Sequence, residues 1–192
     1  MERYERHDRL GHAFDGVLTA AQAGAPWAFE RLYRWLAPAV TGYCRLQGVP
    51  DPDDVASEVF IGVFRNLAAF SGDEEGFRSW VFRIAHRRII DDRRSRGRHP
   101  TDLLGDAEAL DRPAPGDAAS EADRALADER VRRLCDQLVP EQRAVLLLRL
   151  VADLTVEQVA EALDKSLGAV KQLQRRGLAA VQRLLDTEGA AL

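Results

Sequence analysis

The sequence has no uninterrupted apolar run approaching the roughly 18 residues that a membrane-spanning helix requires, so no membrane insertion is expected. Cysteine is scarce: Cys44 and Cys135 are the two present, far apart and each inside an apolar-periodic segment. That placement speaks for buried thiols rather than a disulfide or a metal pair, and it suits a reducing cytoplasm. The opening stretch MERYERHDRLGHAFD is charged and lacks the apolar core of a secretory signal. There is no glycine-rich phosphate loop, and the four histidines are scattered. His86, Asp91 and Asp92 do not share one helical face, because spacings of three or four residues are what align side chains on a helix. Catalytic residues, metal ligands and cofactors are therefore not expected, and the protein reads as a cytoplasmic one.

What is present is helical periodicity almost throughout. With 46% hydrophobic residues in 192, the chain can bury one core or two small ones. From Trp27 to Leu46, Phe29, Leu32, Tyr33, Leu36, Val40, Tyr43 and Cys44 recur at spacings of three and four, with Pro38 predicting a kink or break inside that run. A turn at Gly48–Pro50 leads to a second helix, in which Asp51 or Asp53 can cap the first turn and Val55, Val59, Val63 and Leu67 form a stripe widened by Phe60 and Phe64. SGDEEGF reads as a glycine-bounded loop, and Phe77 to Arg94 as a third helix with Trp80, Val81, Ile84 and Ile89 toward the core.

Charge is segregated. The chain carries a formal −4, yet Arg83 to Arg98 holds seven arginines (Arg83, Arg87, Arg88, Arg93, Arg94, Arg96, Arg98) against Asp91 and Asp92. Thr101 to Arg130 is the reverse, with nine acids against three arginines, and its first part has prolines, glycines and no aromatics. It reads as an acidic linker, either a solvated spacer or a segment that competes for a nucleic-acid path. A second helical cluster follows: Glu121 to Leu138 with Ala125, Val131, Leu134 and Leu138 on one stripe, then a helix opened by Pro140. Thr155 with Gln158 makes a capping box for a short helix ending near Asp164; Gly168 is expected in the turn, with a longer helix from Ala169. Lys165 to Arg183 holds five bases and no acid. A short helix, a tight turn and a basic second helix form a helix-turn-helix, which presents its second helix to the DNA major groove. A stand-alone regulator binding duplex operators would have that unit too.

Three segments together resemble a known family. LVPEQRAVLLLRLVADLTVEQVAEALDKSLGAVKQLQRRGLAAVQRLL looks like the promoter-binding C-terminal domain of bacterial sigma factors of the extracytoplasmic-function (ECF) group. The matches are Leu138-Val139-Pro140-Glu141, Val159-Ala160 and Gly168-Ala169-Val170-Lys171, with alanine where threonine is usual. DPDDVASEVFIGVFRNL resembles the group's polymerase-clamp segment, with Ser57 where glutamine is usual. FRSWVFRIAHRRIIDDRRSR resembles its promoter-melting segment, with Arg87 where asparagine is usual.

The resemblance implies an all-α fold of two small helical domains joined by a flexible acidic linker, the second with the helix-turn-helix. The expected boundaries are an N-terminal extension of unassigned role at 1–18, a region 2 like domain at 19–98, a linker at 99–120, a region 4 like domain at 121–186 and a tail at 187–192. It implies core RNA polymerase (beta-prime clamp and beta flap) and promoter DNA as partners, and an anti-sigma factor as a further one suited to the apolar faces of both domains. For the clamp the candidates are Asp51, Asp53, Asp54 and Glu58, with Phe60 and Phe64 as anchors. For the minus-ten element they are Arg83, His86, Arg87, Arg88 and Arg94, helped by the loop Ser71 to Gly76, with Trp80 as core rather than stacking platform. For the minus-thirty-five element they are Ser166, Lys171, Gln172, Arg175 and Arg176, of which Lys171 and Gln172 reach base edges and Arg175 and Arg176 meet phosphates.

Overall fold

The computed structural model describes residues 9–98 and 118–189, and all regular structure among them is helical. After a short 3-10 turn (Gly11–Ala13) come α1 (Phe14–Gln22), α2 (Pro26–Leu46), α3 (Pro52–Asn66), a second 3-10 turn (Leu67–Ala69) and α4 (Glu74–Arg98). Beyond the undescribed residues 99–117 come α5 (Ala118–Asp136), α6 (Pro140–Leu150), α7 (Val156–Leu163) and α8 (Leu167–Gly189). The first group buries Leu32, Leu36, Val40 and Tyr43 of α2 against Val59 and Val63 of α3 and Phe77, Val81, Phe82 and Ile89 of α4. These are the apolar stripes the three-and-four spacing predicts, each removed from water by the next helix.

Three helix boundaries and one apolar stripe here depart from expectation. Helix α2 runs through Pro38 without a break, because that residue sits on the exposed face, where water can take the carbonyl its missing N–H leaves free. Helix α4 begins at Glu74, inside the stretch read as a loop: the Asp73 carboxylate accepts from the Gly76 amide at 2.8 Å, and Glu74 and Glu75 place negative charge at the helix N-terminus. Helix α5 covers Ala118–Asp136, so residues 118–120 of the expected linker are helical, while 99–117 lie outside the described residues. On α5 the expected stripe holds only toward its end, with Ala125 and Val131 exposed, Leu134 half-buried and Cys135 buried; Leu138, buried, falls just after the helix.

The stretch before residue 19, given no role from sequence, is built into the first domain over its described part. Phe14, Val17 and Leu18 of α1 are buried, Phe14 meeting Trp35 and Phe77 with ring centroids 6.2 and 5.7 Å apart. The Leu10 and Gly11 amides both donate to the Glu74 carboxylate at 2.9 Å, fastening this stretch to the start of α4. Of the tail at 187–192, residues 187–189 finish α8 and 190–192 lie outside the described residues.

In the second group α6 crosses α8 at Gly177, where an added Cβ would lie 2.9 Å from Leu146 Cδ1, so glycine is what allows the close approach. The Thr155 and Gln158 box forms as expected, each side chain bonding the other's backbone N–H at 3.2 and 2.8 Å. The turn after α7 differs from the sequence reading. Asp164 takes the left-handed conformation (φ 52°), Ser166 Oγ caps α8 by accepting from the Ala169 amide at 3.2 Å, and Gly168 lies within the first helical turn. The two domains pack together, α7 on α4 and both α5 and α6 on α2.

Candidate nucleic-acid interface

Helix α4 buries one face, and that burial decides which of its cations reach solvent. Arg87 and Arg94 are exposed, Arg94 lying 3.9 Å from Asp91. Arg88 is paired through Nε to Glu58 of α3 at 2.6 Å, a contact that joins two residues assigned from sequence to different partners. Arg83 reaches Glu161 of α7 at 2.7 Å. His86 is half-buried, its Nδ1 2.9 Å from Tyr43 Oη. Burial first, and then the cations Arg93 and Lys165, push its pKa down to about 4, so it is neutral near pH 7. The structure therefore brings Arg83, Arg87, Arg88 and Arg94 to the surface of one helix and turns His86 inward.

Beside that helix lies a cavity of about 640 Å³, lined by Asn66, Phe70, Ser71, Gly76, Trp80 and Arg83, with Gln158 and Glu161 of α7 on its far side. Trp80 is half-buried, stacked on Phe70 with centroids 5.1 Å apart and packed on Phe77 at 5.7 Å. Its role as a core residue, expected from its position beside Ile84, matches these contacts.

The acidic edge of α3 divides by task. Asp51 Oδ1 accepts from the Asp54 amide at 3.0 Å and is the N-cap; Asp53 and Asp54 are exposed in the first turn. Phe60, expected as a surface anchor, is buried: its ring meets Tyr33 at 4.8 Å because α2 packs over that side of α3. Phe64 is half-buried against Phe29 at 4.9 Å. The exposed apolar side chains of this region are Tyr33 and Ile61, and Ile61, one residue beyond Phe60, was missed because period alone does not say where the buried stripe ends.

On α8, Lys171, Gln172, Arg175 and Arg176 are all exposed, and their spacing places them on one face, opposite buried Val170 and Gly177. Ser166, just before α8 and in helical register with buried Val170 rather than with those four, has its hydroxyl committed to the cap. Two arginines that sequence reasoning passed over hold structure instead. Arg78 donates from Nε to Ala152 O at 2.5 Å, and burial lowers its pKa, though guanidinium stays charged. Arg93 donates from Nη2 to Gln47 Oε1 at 3.1 Å. No local signal marks them, since their acceptors come from α2 and from the α6–α7 connection.

Among the described residues no helix is long and apolar enough to cross a membrane. The family described as Sigma-70 region 2 matches residues 28–99, and Sigma-70 region 4 matches residues 135–183. The ECF RNA polymerase sigma factor SigD of Mycobacterium tuberculosis (strain H37Rv) is 32% identical over 190 residues, covering 94% of this chain and 86% of that protein. The ECF RNA polymerase sigma factor BldN of Streptomyces coelicolor is 32% identical over 179 residues, covering 90% and 66%. Among solved structures, CnrH in complex with the cytosolic domain of CnrY superposes with a TM-score of 0.67 at 26% identity, covering 91% of this chain and 98% of that one.

Proposed function

Since the chain belongs to the ECF group of the sigma-70 family, a factor that binds core RNA polymerase and directs it to promoters, we propose a division of labour between its two domains. The first docks on the beta-prime clamp through Asp53, Asp54 and Glu58 of α3, with Ile61 and Tyr33 as the exposed apolar neighbours. An acidic edge beside exposed apolar side chains suits a basic, partly apolar groove. Helix α4 then holds the minus-ten strand: Arg87, Arg94, Arg83 and Arg88 meet phosphates, and the cavity beside Ser71 and Gly76 receives an unstacked base. His86 serves by filling the α2–α4 junction. The second domain lays α8 in the major groove of the minus-thirty-five element and meets the beta flap. There Lys171 and Gln172, in the first helical turns, read base edges, and Arg175 and Arg176, a turn further on, take phosphates.

The chain's task in this reading is to position DNA in the cytoplasm, with no covalent chemistry of its own, and its protein-binding faces suit an anti-sigma partner. The observation that carries the proposal is the pairing of two separate cationic helices, α4 and α8, with an acidic helix α3 that a duplex-binding regulator would not need. The test is run-off transcription from a genomic promoter library with purified core polymerase. Wild-type protein should give transcripts sharing a two-part upstream sequence, and an Asp53→Lys, Asp54→Lys variant that keeps its helical circular dichroism should give none. A specific duplex footprint by the protein alone, without polymerase-dependent transcripts, would establish an operator-binding regulator instead.

A further inference from the structure

Residues 70–73 connect the second 3-10 turn to α4, and both ends of this connection are tied to the N-terminal segment 9–22, which precedes the residues that match Sigma-70 region 2. At the first end Gln22 donates from Nε2 to Phe70 O at 2.8 Å and to Leu67 O at 3.0 Å. A primary amide carries two N–H groups, one for each carbonyl, so a single side chain staples the beginning of the 3-10 turn to its exit. At the second end the Leu10 and Gly11 amides hold the Glu74 carboxylate. Phe70 and Ser71 of the tied stretch line the cavity of about 640 Å³ whose wall also carries Trp80 and Arg83.

Gln22 is a fixed point from which to hold that stretch. It is the last residue of α1, whose Phe14, Val17, Leu18 and Ala21 are buried in the first domain. The residue itself is exposed, so what its amide secures is the loop rather than the core. Phe70 has other contacts, its ring meeting Trp80 at 5.1 Å and Phe77 at 5.2 Å, but these place a ring and leave the backbone beyond it free to turn. A hydrogen bond to the Phe70 carbonyl sets the orientation of that peptide plane, and with it the direction in which Ser71 and Gly72 leave. The direction matters because the chain passes close to its own ring there: Gly72 has φ 153°, and an added Cβ would lie 3.2 Å from Phe70 Cζ.

We infer that Gln22 is a positioning residue for promoter opening: it holds the Phe70 peptide plane, and so the loop Ser71 to Asp73, in the shape that receives an unstacked base, without touching DNA itself. This rests on the assignment of α4 and its cavity to the minus-ten strand. A loop ordered before the strand arrives spares the complex the cost of ordering it on binding. The gain falls on the sequence-specific part of strand affinity, because a phosphate on exposed Arg87 does not need the loop.

The test uses the full chain bound to core polymerase and two fluorescent single strands from a promoter mapped by run-off, one with the mapped minus-ten bases and one with those bases replaced. Gln22→Met keeps an unbranched side chain of similar length and removes both donors. It should weaken binding of the matched strand about fivefold, if one loop in five holds its shape without the tie. Binding of the replaced strand and affinity for core polymerase should stay within about twofold, as for an ordinary surface substitution. Val17→Ala removes buried methyl groups from the same helix and leaves the Gln22 amide in place, so it should lower the thermal midpoint more than Gln22→Met does and discriminate between the strands as the wild type does. Full discrimination by Gln22→Met, equal weakening of both strands, or an equal loss of discrimination in Val17→Ala each overturns the inference, since the tie would then be idle or serve stability alone. The wild type separates the two levels: discrimination that survives in Gln22→Met sinks the positioning role alone, whereas a wild-type complex that transcribes yet binds both strands equally sinks the assignment beneath it as well.

Discussion

His86 shows how one position in a cationic helix can be taken out of the cationic surface. Its neighbours Arg87 and Arg88 reach solvent, whereas its ring lies against Tyr43, half-buried, with Arg93 and Lys165 near enough to oppose a further positive charge. Its folded pKa of about 4 is below the ordinary 6.5 of the unfolded chain, so on acidification the unfolded state takes up the proton first. The contribution to stability is complete above about pH 6.5 and is lost as pH falls toward about 4, amounting to roughly 3 kcal/mol at most. Carboxylates titrate over part of the same range, so the comparison is with His86→Gln. Urea midpoints measured from pH 7 to pH 4 should fall more steeply for the wild type than for the variant; parallel curves would show that His86 protonates freely in the folded protein. Arg88 carries the same lesson in a different form, since its pair with Glu58 means that a substitution at either residue alters both the surface proposed for the clamp and the one proposed for the strand.

At the scale of elements, α8 depends on a residue that sequence reasoning assigned to DNA. Ser166 Oγ accepts from the Ala169 amide, one of the donors that a helix N-terminus leaves unpaired. Ser166→Ala should destabilise the second domain by about 1 kcal/mol. Ser166→Asp keeps an acceptor for the cap and adds charge favourable to the helix dipole, yet sets a carboxylate at the N-terminal end of the helix that carries Lys171 and Gln172. That variant should retain thermal stability and lose promoter binding by the polymerase-bound form. If Ser166→Asp bound promoter DNA as tightly as wild type, Ser166 would be remote from the phosphates and its role would be capping alone.

For the whole molecule, the contacts between domains decide whether the chain unfolds as one body or two. Arg78 crosses from α4 to the α6–α7 connection, lies over the Phe82 ring at 5.9 Å and satisfies two backbone carbonyls. Arg78→Ala removes charge-assisted hydrogen bonds of the kind worth about 1.5–3 kcal/mol and leaves the Ala152 and Val151 carbonyls without that donor. Calorimetry of the wild type should show one transition, and the variant should split it into two, because each domain has buried apolar residues of its own and the coupling between them is what the substitution weakens. A single unshifted transition in the variant would show that apolar packing alone joins the domains.

The sequence by itself determined the all-α class, the order of the helices, the capping box at Thr155, the segregation of charge and the helix-turn-helix with its basic face. All of these are local, since a helix is specified by neighbours three and four residues apart and a cap by residues three apart. It also placed Lys171, Gln172, Arg175 and Arg176 on one helical face, because spacing along one helix is enough for that. Only the tertiary structure decided that Phe60 is buried while Ile61 is exposed, that α1 belongs to the core, that Asp164 rather than Gly168 makes the left-handed turn, and that Arg83, Arg88 and His86 have partners on other helices. Periodicity gives the direction of an apolar stripe but not its width, and a side chain's charge or exposure depends on which surface arrives from elsewhere in the chain. The partners of these three, Glu161, Glu58 and Tyr43, stand 78, 30 and 43 residues away, beyond the reach of any local pattern.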